Sequence, residues 1–480
     1  MSNAVLQRSV TTSVARNLAS TTKTSPKMAS ITPRLLLSQL PWVQVGGGIY
    51  RVNRTKVELP KAERIEADVS AGAASLPRES LRNVPLFSGL PETIVGRMAG
   101  SFKTEEVPLG NKVIVEGEPE SKFFIIAQGQ VEVLYKGAHG SDIRIALLAD
   151  GEYFGETEFA SDQPSDVTVR TLTPCVLLSL SRKDLDSALA QVPNWSEEFK
   201  NALAQYQERR SMVNRYGEKN IDLVSGFAEN IEIPETFVDY SGKPREYPLS
   251  TVQTIVRVHT RVSDLYNDPH DQLEEQMRLT IEGIKERQEW ELVNSQKFGL
   301  LHSVDPSMRL SARYGTPTPD DLDELLALVW KKPAFFLAHP KAIAAFGREC
   351  TWRGVPPPTL NVAGIPVLTW RGVPLIPCDK LEMAGRRSGT TSILLLRVGE
   401  ADQGVVGLHQ AGIPGEIMPS LSARLMGIDS LGVATYLLTL YFSCAVLTDD
   451  ALGVLENVEV GYYHDYEHRG AGGLDSGLGI

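Results

Sequence analysis

The chain has 480 residues, of which 42% are hydrophobic and 22% are charged. At about 150 residues per domain this length predicts two or three domains, and the composition excludes a wholly disordered chain. The formal net charge of −11 argues against a nucleic-acid-binding protein. The four cysteines lie far apart without a C-x-x-C pair, which disfavours a disulfide framework or a zinc site and fits a reducing compartment, the cytoplasm.

The N-terminal region is basic. No Asp or Glu precedes Glu58, and the same stretch contains eight basic residues. These are Arg8, Arg16, Lys23, Lys27, Arg34, Arg51, Arg54 and Lys56. Residues 1–33 are also rich in Ser and Thr and lack the apolar core of a secretory signal peptide. This composition is typical of an organellar transit peptide, and also of a flexible basic arm that docks on an acidic neighbouring subunit. We adopt the arm.

The next part of the chain is rich in β-prone segments. Residues 41–59 contain a triple glycine, which we interpret as a bend because no helical pattern follows it. After a small-residue linker at 71–75, residues 84–210 predict a separate module in which short β-prone runs alternate with glycines. Turn signals at such short intervals indicate an antiparallel roll rather than βαβ units. The predicted strands are residues 112–115, 123–127, 130–135 and 143–148, and helical patterns flank them at 91–100 and 183–210.

A strand and a long helix are predicted next. Alternation from Val252 to Val258 indicates a strand. The helix should run to about residue 297, with Asn267 or Asp268 as its cap and Pro269 in its first turn. Its apolar stripe consists of Leu273, Met277, Ile281 and Ile284.

Further elements follow towards the C-terminus. A helix should begin at Thr318-Pro319, another should cover residues 342–348, and two strands should meet at a turn between 364–368 and 372–376. A further strand is predicted at 393–398. Residues 430–448 carry no charge, but polar residues such as Thr439 and Ser443 interrupt them, so we predict a buried strand and no stable membrane insertion. Residues 471–480 are glycine-rich and predict a loose tail.

The most specific motif is G-E-Y-F-G-E at residues 151–156. Together with the V-T-V-R run at 167–170, it resembles the phosphate-binding cassette of cyclic-nucleotide-binding domains. A glycine there lets backbone N–H groups approach a cyclic phosphate. The resemblance implies a nucleotide pocket formed by Gly155, Glu156, Thr157, Ser165 and Thr168, with Glu156 binding the ribose hydroxyl and with cyclic AMP or another nucleotide as the ligand.

One position departs from that pattern. The family has an arginine for the phosphate where this chain has Ser165, and Asp166 stands beside it. Loss of a charge-assisted contact removes the strongest anchor, and a nearby carboxylate repels an anion. Arg170 is expected to face elsewhere. A degenerate domain that serves as surface decoration or partner contact is therefore favoured, and nucleotide binding stays open.

The sequence on both sides of this module resembles a family 2 encapsulin of the subgroup called 2B. The resemblance is carried by the arm, the β segments on both sides of the insertion, and the long helix. It is also carried by K-K-P-A-F-F-L-A-H-P at 331–340, the G-I-P-V-L and G-V-P-L-I-P-C-D runs at 364–379, and the closing segment 441–456. It implies an α+β chain with the tailed-phage (Hong Kong 97-like) capsid fold and an inserted β-roll cyclic-nucleotide-binding-like domain. The implied domains are the arm (1–33), a first capsid part with an E-loop strand (34–83), the insertion (84–210), a second capsid part with the E-loop return, spine helix and P and A domains (211–470), and the tail (471–480).

The resemblance also implies a function. The chain would be a non-enzymatic subunit that assembles with copies of itself into an icosahedral compartment around a cargo enzyme, a terpene cyclase or a polyprenyl transferase. The insertion would face outward, and residues 400–415 would line a pore. The extended arm, the two-stranded excursion and the long helix would bury little surface within one monomer. Independently of the resemblance, such elements favour assembly with neighbouring copies. The alternative is a soluble regulatory protein that responds to a cyclic nucleotide.

Two other groups of residues were weighed as chemical sites. His464 and His468 are spaced as metal ligands on a helix, but the surrounding Gly and Tyr residues favour a strand or tail. Cys378 has no neighbouring base in the sequence and is predicted to be a packed thiol. We therefore predict no catalytic residue and no metal site.

Overall fold

The computed structural model describes the greater part of the chain. It covers residues 25–58, 64–65, 67–70, 73–77, 80–84, 87, 90–118, 122–137, 142–156, 159, 164–190, 195–214, 216–226, 233–260, 271–383 and 389–464. Most of the predicted arm and the whole predicted tail lie outside these residues.

The described residues form the following helices and strands. The α-helices are α1 (Leu35–Gln39), α2 (Glu92–Ala99), α3 (Arg182–Leu189), α4 (Trp195–Met212), α5 (Gln272–Asn294), α6 (Leu300–Ser303), α7 (Pro319–Leu328) and α8 (Pro340–Arg353). The strands up to residue 181 are β1 (Trp42–Gln44), β2 (Ile49–Val52), β3 (Asp68–Ser70), β4 (Ala73–Ser75), β5 (Lys103–Val107), β6 (Lys112–Ile114), β7 (Lys122–Gln128), β8 (Val131–Lys136), β9 (Asp142–Leu148), β10 (Tyr153–Phe154), β11 (Thr168–Thr171) and β12 (Cys175–Ser181). The later strands are β13 (Arg245–Pro248), β14 (Ser250–His259), β15 (Arg309–Ser311), β16 (Phe335–Ala338), β17 (Thr359–Val362), β18 (Ile365–Trp370), β19 (Val373–Pro377), β20 (Thr390–Leu396), β21 (Val405–His409), β22 (Glu416–Met418), β23 (Leu421–Ile428), β24 (Val433–Val446) and β25 (Leu452–Glu459).

The chain divides into two compact units. The first combines Met1–Val52 with Arg245–Ile480, and the second is Asn53–Pro244. The chain thus leaves the first unit once and returns to it once, as expected for an insertion. The domain limits given above from the sequence stay predictions.

The first unit contains two large sheets. One has the strand order β15-β25-β20-β16-β19-β18-β17, and the other has the order β1-β21-β24-β23-β22 with β14 also paired to β24. All four residues of β16 are buried, because β16 lies between β20 and β19 in the middle of its sheet. The core of this unit also takes aromatic side chains from α8 and β24, such as Phe346 and Phe442.

The long helix α5 differs from its prediction at both ends. It begins at Gln272 and is capped by Asp271, whose carboxylate accepts hydrogen bonds from the N–H groups of Leu273 and Glu274. The predicted caps, Asn267 and Asp268, lie outside the described residues. The helix ends at Asn294 rather than near residue 297, and its 23 residues span about 35 Å. A carboxylate one residue before the helix satisfies two of its free N–H groups, which explains the choice of Asp271.

Other predictions for the first unit are confirmed. Helix α7 begins at Pro319 with Thr318 and Asp321 forming a reciprocal capping box. The predicted strand pair is β18 and β19, joined at Arg371 and Gly372. The uncharged stretch 430–448 contains β24, which is a strand and not a helix. No helix among the described residues has the length and apolarity needed to cross a membrane.

The second unit contains the predicted antiparallel roll. Its two four-stranded sheets have the orders β10-β7-β12-β5 and β6-β11-β8-β9. Apolar residues from both sheets, such as Phe124, Val133 and Val169, pack into one cluster. A second cluster joins β7 and β12 to α2, α3 and α4, with Phe123, Phe159 and Phe199 among its buried members.

Candidate nucleotide cassette and shell surfaces

The cassette begins where β10 ends. Strand β10 pairs with β7, and the chain then turns at Gly155 with φ of +82°. A Cβ atom at this position would lie 2.5 Å from the carbonyl oxygen of Lys122. Only glycine fits, because both the backbone conformation and the contact exclude a side chain. The Phe159 N–H then donates to the Gly155 carbonyl at 3.0 Å.

Glu156, the predicted ribose ligand, lies within electrostatic range of Tyr206 on helix α4. It is half-buried, and its carboxylate acts electrostatically on the hydroxyls of Tyr153 and Tyr206. Burial raises the pKa of Tyr206 and Glu156 raises it further, while a hydrogen bond with Arg210 opposes the shift. The other predicted residue here, Thr157, lies outside the described residues.

Ser165 cannot replace the missing arginine. It is only 2% exposed, and its hydroxyl is used locally, donating to the Val167 carbonyl at 3.0 Å and accepting from the Val167 N–H at 3.3 Å. Its backbone carbonyl accepts from Gly117, and its N–H faces the carbonyl of Glu118. The position presents neither a charge nor a free donor to an anion.

The surroundings of Ser165 are acidic. The charged residues next to it on its own segment and on the segment it bonds to are Glu116, Glu118 and Asp166. The Glu116 N–H donates a hydrogen bond to the Thr168 hydroxyl at 3.2 Å. Thr168 thus holds the end of β6 rather than pointing to an open pocket. Three carboxylates make this corner unfavourable for a cyclic phosphate, because like charges repel.

The nearby arginines are paired elsewhere, as predicted for Arg170. Its Nε donates to Glu132 at 2.7 Å, and Arg144 lies 3.3 Å from the other oxygen of the same carboxylate. Glu132 is 4% exposed and needs these partners, because a buried carboxylate without them is costly. Glu132 therefore engages both Arg144 and Arg170, and neither guanidinium is directed to a cyclic phosphate.

The predicted pore segment, residues 400–415, begins in a loop held by a hydrogen bond and an ion pair. The Tyr50 hydroxyl donates to Glu400 at 2.6 Å, and burial together with this bond raises the pKa of Tyr50 to about 12. Lys332 pairs with Asp402 at 2.7 Å. Buried Arg397, just before the loop, pairs with Asp450, which also binds Lys331.

His464 and Cys378 both pack against neighbouring residues. His464 stacks on Trp352 with a centroid distance of 4.8 Å, and its Nε2 lies 2.7 Å from Glu349, so it binds the segment after β25 to α8. His468 lies outside the described residues. Cys378 is buried, and burial raises the pKa of its thiol to about 12. Among the residues that the structure describes, no three His, Cys, Asp or Glu side chains are grouped as a metal would need.

The structure also shows an exposed apolar surface whose residues the sequence analysis did not identify. Leu223, Ile233, Phe237 and Tyr240 are 82%, 80%, 78% and 70% exposed. They belong to residues 221–226 and 233–240, which we call the apolar segment and which form no regular helix or strand. Their spacing has neither a helical nor a strand period, so no pattern singled them out. Such exposure of large apolar groups is typical of an interaction surface.

Two family profiles match this chain. The profile described as "Type 2A encapsulin shell protein SrpI-like" matches residues 206–462, and the profile of the cyclic nucleotide-binding domain matches residues 104–192. Type 2A encapsulin shell protein SrpI of Synechococcus elongatus is 63% identical over 238 residues, which are 50% of this chain and 77% of SrpI.

The chain belongs to the SrpI-like family of encapsulin shell proteins. A type 2A encapsulin shell protein of Mycobacterium leprae is 56% identical over 243 residues, or 51% of this chain and 78% of that protein. Among solved structures, the holo-SrpI encapsulin complex of Synechococcus elongatus is 37% identical with a TM-score of 0.54. That match covers 95% of this chain and 99% of the other.

The predicted encapsulin family is confirmed, and so is the capsid-like fold with a cyclic-nucleotide-binding domain. Assignment to the subgroup 2B, which the resemblance links to such an insertion, stays a prediction. The shell-protein names of the relatives agree with a structural subunit rather than an enzyme. The alternative of a soluble nucleotide-responsive regulator is not favoured, because an encapsulin profile accounts for the chain after the insertion.

Proposed function

We propose that this encapsulin subunit assembles with copies of itself into a closed icosahedral shell in the cytoplasm, and that the shell encloses a cargo enzyme. The observation that carries this proposal is the apolar segment. Four large apolar side chains that are at least 70% exposed would be costly in an isolated monomer, and burial against neighbouring copies would remove that cost.

Two further features support assembly. Helix α5 carries apolar Leu273, Met277 and Ile281, which line a groove of about 590 Å³ in the first unit. The outer half of β23 exposes Leu425, Met426 and Ile428. Closed point-group symmetry would cover such surfaces in every copy at once.

Assembly can be tested with one variant in the apolar segment and one control. Phe237→Asp places a charge in the apolar segment and should shift the purified protein from megadalton particles to small species in size-exclusion chromatography with light scattering. Glu235→Gln changes a neighbouring exposed polar residue and should leave the particles intact. Particles of unchanged mass in the Phe237→Asp variant would contradict the role of the apolar segment.

For the cargo, we propose a terpene cyclase or a polyprenyl transferase. This rests on the resemblance to subgroup 2B, in which the insertion accompanies such cargo. Co-expression with each enzyme class should give co-eluting particles in which the enzyme resists added protease. Digestion of both enzymes at the rate of the free proteins would reject the cargo assignment while leaving the shell intact.

For the inserted domain, we propose an outward-facing module that does not bind a standard cyclic nucleotide tightly. The pocket residues are Gly155, Glu156, Thr157, Ser165 and Thr168, and the buried, neutral Ser165 among carboxylates supports weak binding. Titration calorimetry with cyclic AMP and cyclic GMP should show no micromolar binding. Micromolar binding that Glu156→Ala abolishes would instead restore the sensor interpretation. Residues 400–415 remain our proposed pore lining.

A further inference from the structure

One face of helix α5 carries three glutamates beneath the described end of the arm. Glu282, Glu286 and Glu289 are four and three residues apart, so they form one stripe along the helix. Residues 32–40, which we call the arm root, contact this stripe. The Arg34 guanidinium lies 2.5 Å from Glu282 and 3.2 Å from Glu286. The first two glutamates therefore fix the arm root to α5.

The third glutamate, Glu289, is buried beneath the same segment. It is 1% exposed, and its Oε1 has no hydrogen-bond partner among the described residues. Leu36 of the arm root is fully buried, and its N–H is hydrogen-bonded to the Glu289 carboxyl. A buried carboxylate with an unsatisfied oxygen is unfavourable, whereas water would solvate it if the covering segment opened. The charge of Glu289 therefore affects how stable the closed arm root is.

Three neighbouring groups keep their charge state near neutral pH. The Lys380 Nζ lies 2.7 Å from Glu286 and 2.6 Å from Asp379. Burial lowers the pKa of Lys380, but its hydrogen bonds with Asp379 and Glu286 outweigh burial and raise the pKa overall. At Glu286, hydrogen bonds also outweigh burial and lower the pKa. Cys378 stays a neutral thiol, because burial raises its pKa to about 12. Glu289, in contrast, has a pKa that burial raises to about 7.

The arm root is the less firmly held of the two segments next to Glu289. Residues 378–380 follow β19, which is paired on both sides, with β16 and with β18. The arm root contains only the five-residue helix α1, and Arg34 before it adopts φ of +47°, which is unfavourable for a residue with a side chain. After the arm root, the chain is held again at β1, which pairs with β21. An opening that admits water to Glu289 should therefore be confined to the arm root.

We propose that Glu289 is a proton-controlled latch for the arm root: the protonated side chain keeps residues 32–40 closed on α5, and loss of the proton favours their opening. The closed form has a pKa of about 7, whereas a solvated glutamate has the ordinary value of 4.5. Opening should therefore become more frequent as the pH rises from about 5 to about 7 and then level off. The opening does not require assembly. Its effect on contacts between copies, in contrast, rests on the proposed function.

The latch can be tested by hydrogen–deuterium exchange on the full-length protein, corrected for the intrinsic effect of pH on amide exchange. In the wild type, the protection of amides 36–40 should fall on the order of a hundredfold between about pH 5 and 8, because the arm root opens more often. Glu289→Gln keeps the side-chain shape and cannot ionise, so protection in this variant should stay constant. Wild-type protection that does not change with pH, or a fall that persists in Glu289→Gln, would overturn the proposal.

A second variant separates anchoring from ionisation. Glu282→Gln weakens the pairing with Arg34 and leaves Glu289 in place, so it should lower arm-root protection several-fold at every pH and keep the same dependence on pH. Loss of that dependence would overturn the assignment to Glu289.

Amides of β16, in the middle of its sheet, report on global unfolding. Arm-root amides that exchange only at the β16 rate at every pH would also overturn the proposal, because Glu289 would then be reached only in the unfolded protein. Particle mass, measured on the same samples, reports separately on assembly. A wild-type protein that forms no shell would reject the proposed function and not the latch.

Discussion

Burial of Glu289 on helix α5 makes the stability of the protein depend on pH. Its side chain is buried, and its Oε1 has no hydrogen-bond partner among the described residues. Burial raises its pKa from 4.5 to about 7; the Lys380 ammonium and the Leu36 N–H oppose this shift, while Glu286 and Asp379 add to it. The carboxyl is therefore neutral in the folded state over a pH range in which it ionises in the unfolded chain.

The raised pKa of Glu289 makes the free energy of unfolding fall as the pH rises. Because the folded pKa lies above the unfolded value, the stability associated with neutral Glu289 is complete below about pH 4.5 and is lost as the pH rises through about 7. A shift of this size corresponds to about 3 kcal/mol. Glu289→Gln keeps the shape and removes the ionisation. The variant should match wild type near pH 5 and exceed its free energy of unfolding by up to about 3 kcal/mol near pH 8.

Glu286, three residues earlier on the same helix, is the matched control. Burial acts to raise its pKa, but hydrogen bonds from Lys380 and Thr32 outweigh burial and lower it overall. Its stabilising contribution is therefore present above the unfolded pKa and lost on acidification. Glu286→Gln should destabilise the protein at neutral pH, and this difference should shrink towards acid. Denaturant unfolding measures Glu289→Gln between about pH 5 and 8, and it measures Glu286→Gln from about pH 7 down to about pH 3. A difference between Glu289→Gln and wild type that does not change with pH would refute the reasoning.

Three other substitutions have definite expected outcomes. Ser165→Arg restores a cation at the phosphate position and should improve cyclic AMP affinity by about 1.5–3 kcal/mol in calorimetry; unchanged heats would show that other cassette residues limit binding. Gly155→Ala forces a methyl group against the Lys122 carbonyl and should destabilise the inserted roll by about 1–3 kcal/mol. Amide hydrogen exchange in β7 and β10 should then be faster, and wild-type protection there would contradict the contact. Asp450→Asn leaves the 2%-exposed Arg397 without its carboxylate and should lower the free energy of unfolding by about 3–5 kcal/mol; a loss below about 1 kcal/mol would show that Lys331 and solvent compensate.

Local structure was largely predictable from the sequence. The roll strands follow from short β-prone runs between glycines, and Gly110, Gly117, Gly129 and Gly151 indeed adopt positive φ at their turns. The start of α7 follows from Thr318 and Pro319, whose roles are set within one helical turn. The sequence predicted β24 as a strand rather than a membrane helix, because hydroxyl-bearing residues such as Thr439 and Ser443 are unfavourable in lipid.

Long-range arrangement was not predictable in the same way. The Glu286 carboxylate binds Thr32 and Lys380, which are 254 and 94 positions away, and no local pattern indicates such a meeting. The cap of α5 was missed because Asn267, Asp268 and Asp271 are all good caps by residue type. At the candidate site, the sequence identified Ser165 as the departure from the cassette. The electrostatic effect of Glu156 on Tyr206, 50 residues later in the chain, depends on the packing of α4 and has no local sequence signal.

We propose above that this chain buries its exposed apolar side chains only by assembling with copies of itself. Mass photometry of the protein expressed and purified alone, with cryo-electron microscopy of the same sample, tests that claim most directly. We expect closed icosahedral particles on the order of a megadalton or more. A single stable species at 52.6 kDa in dilute buffer would contradict the account.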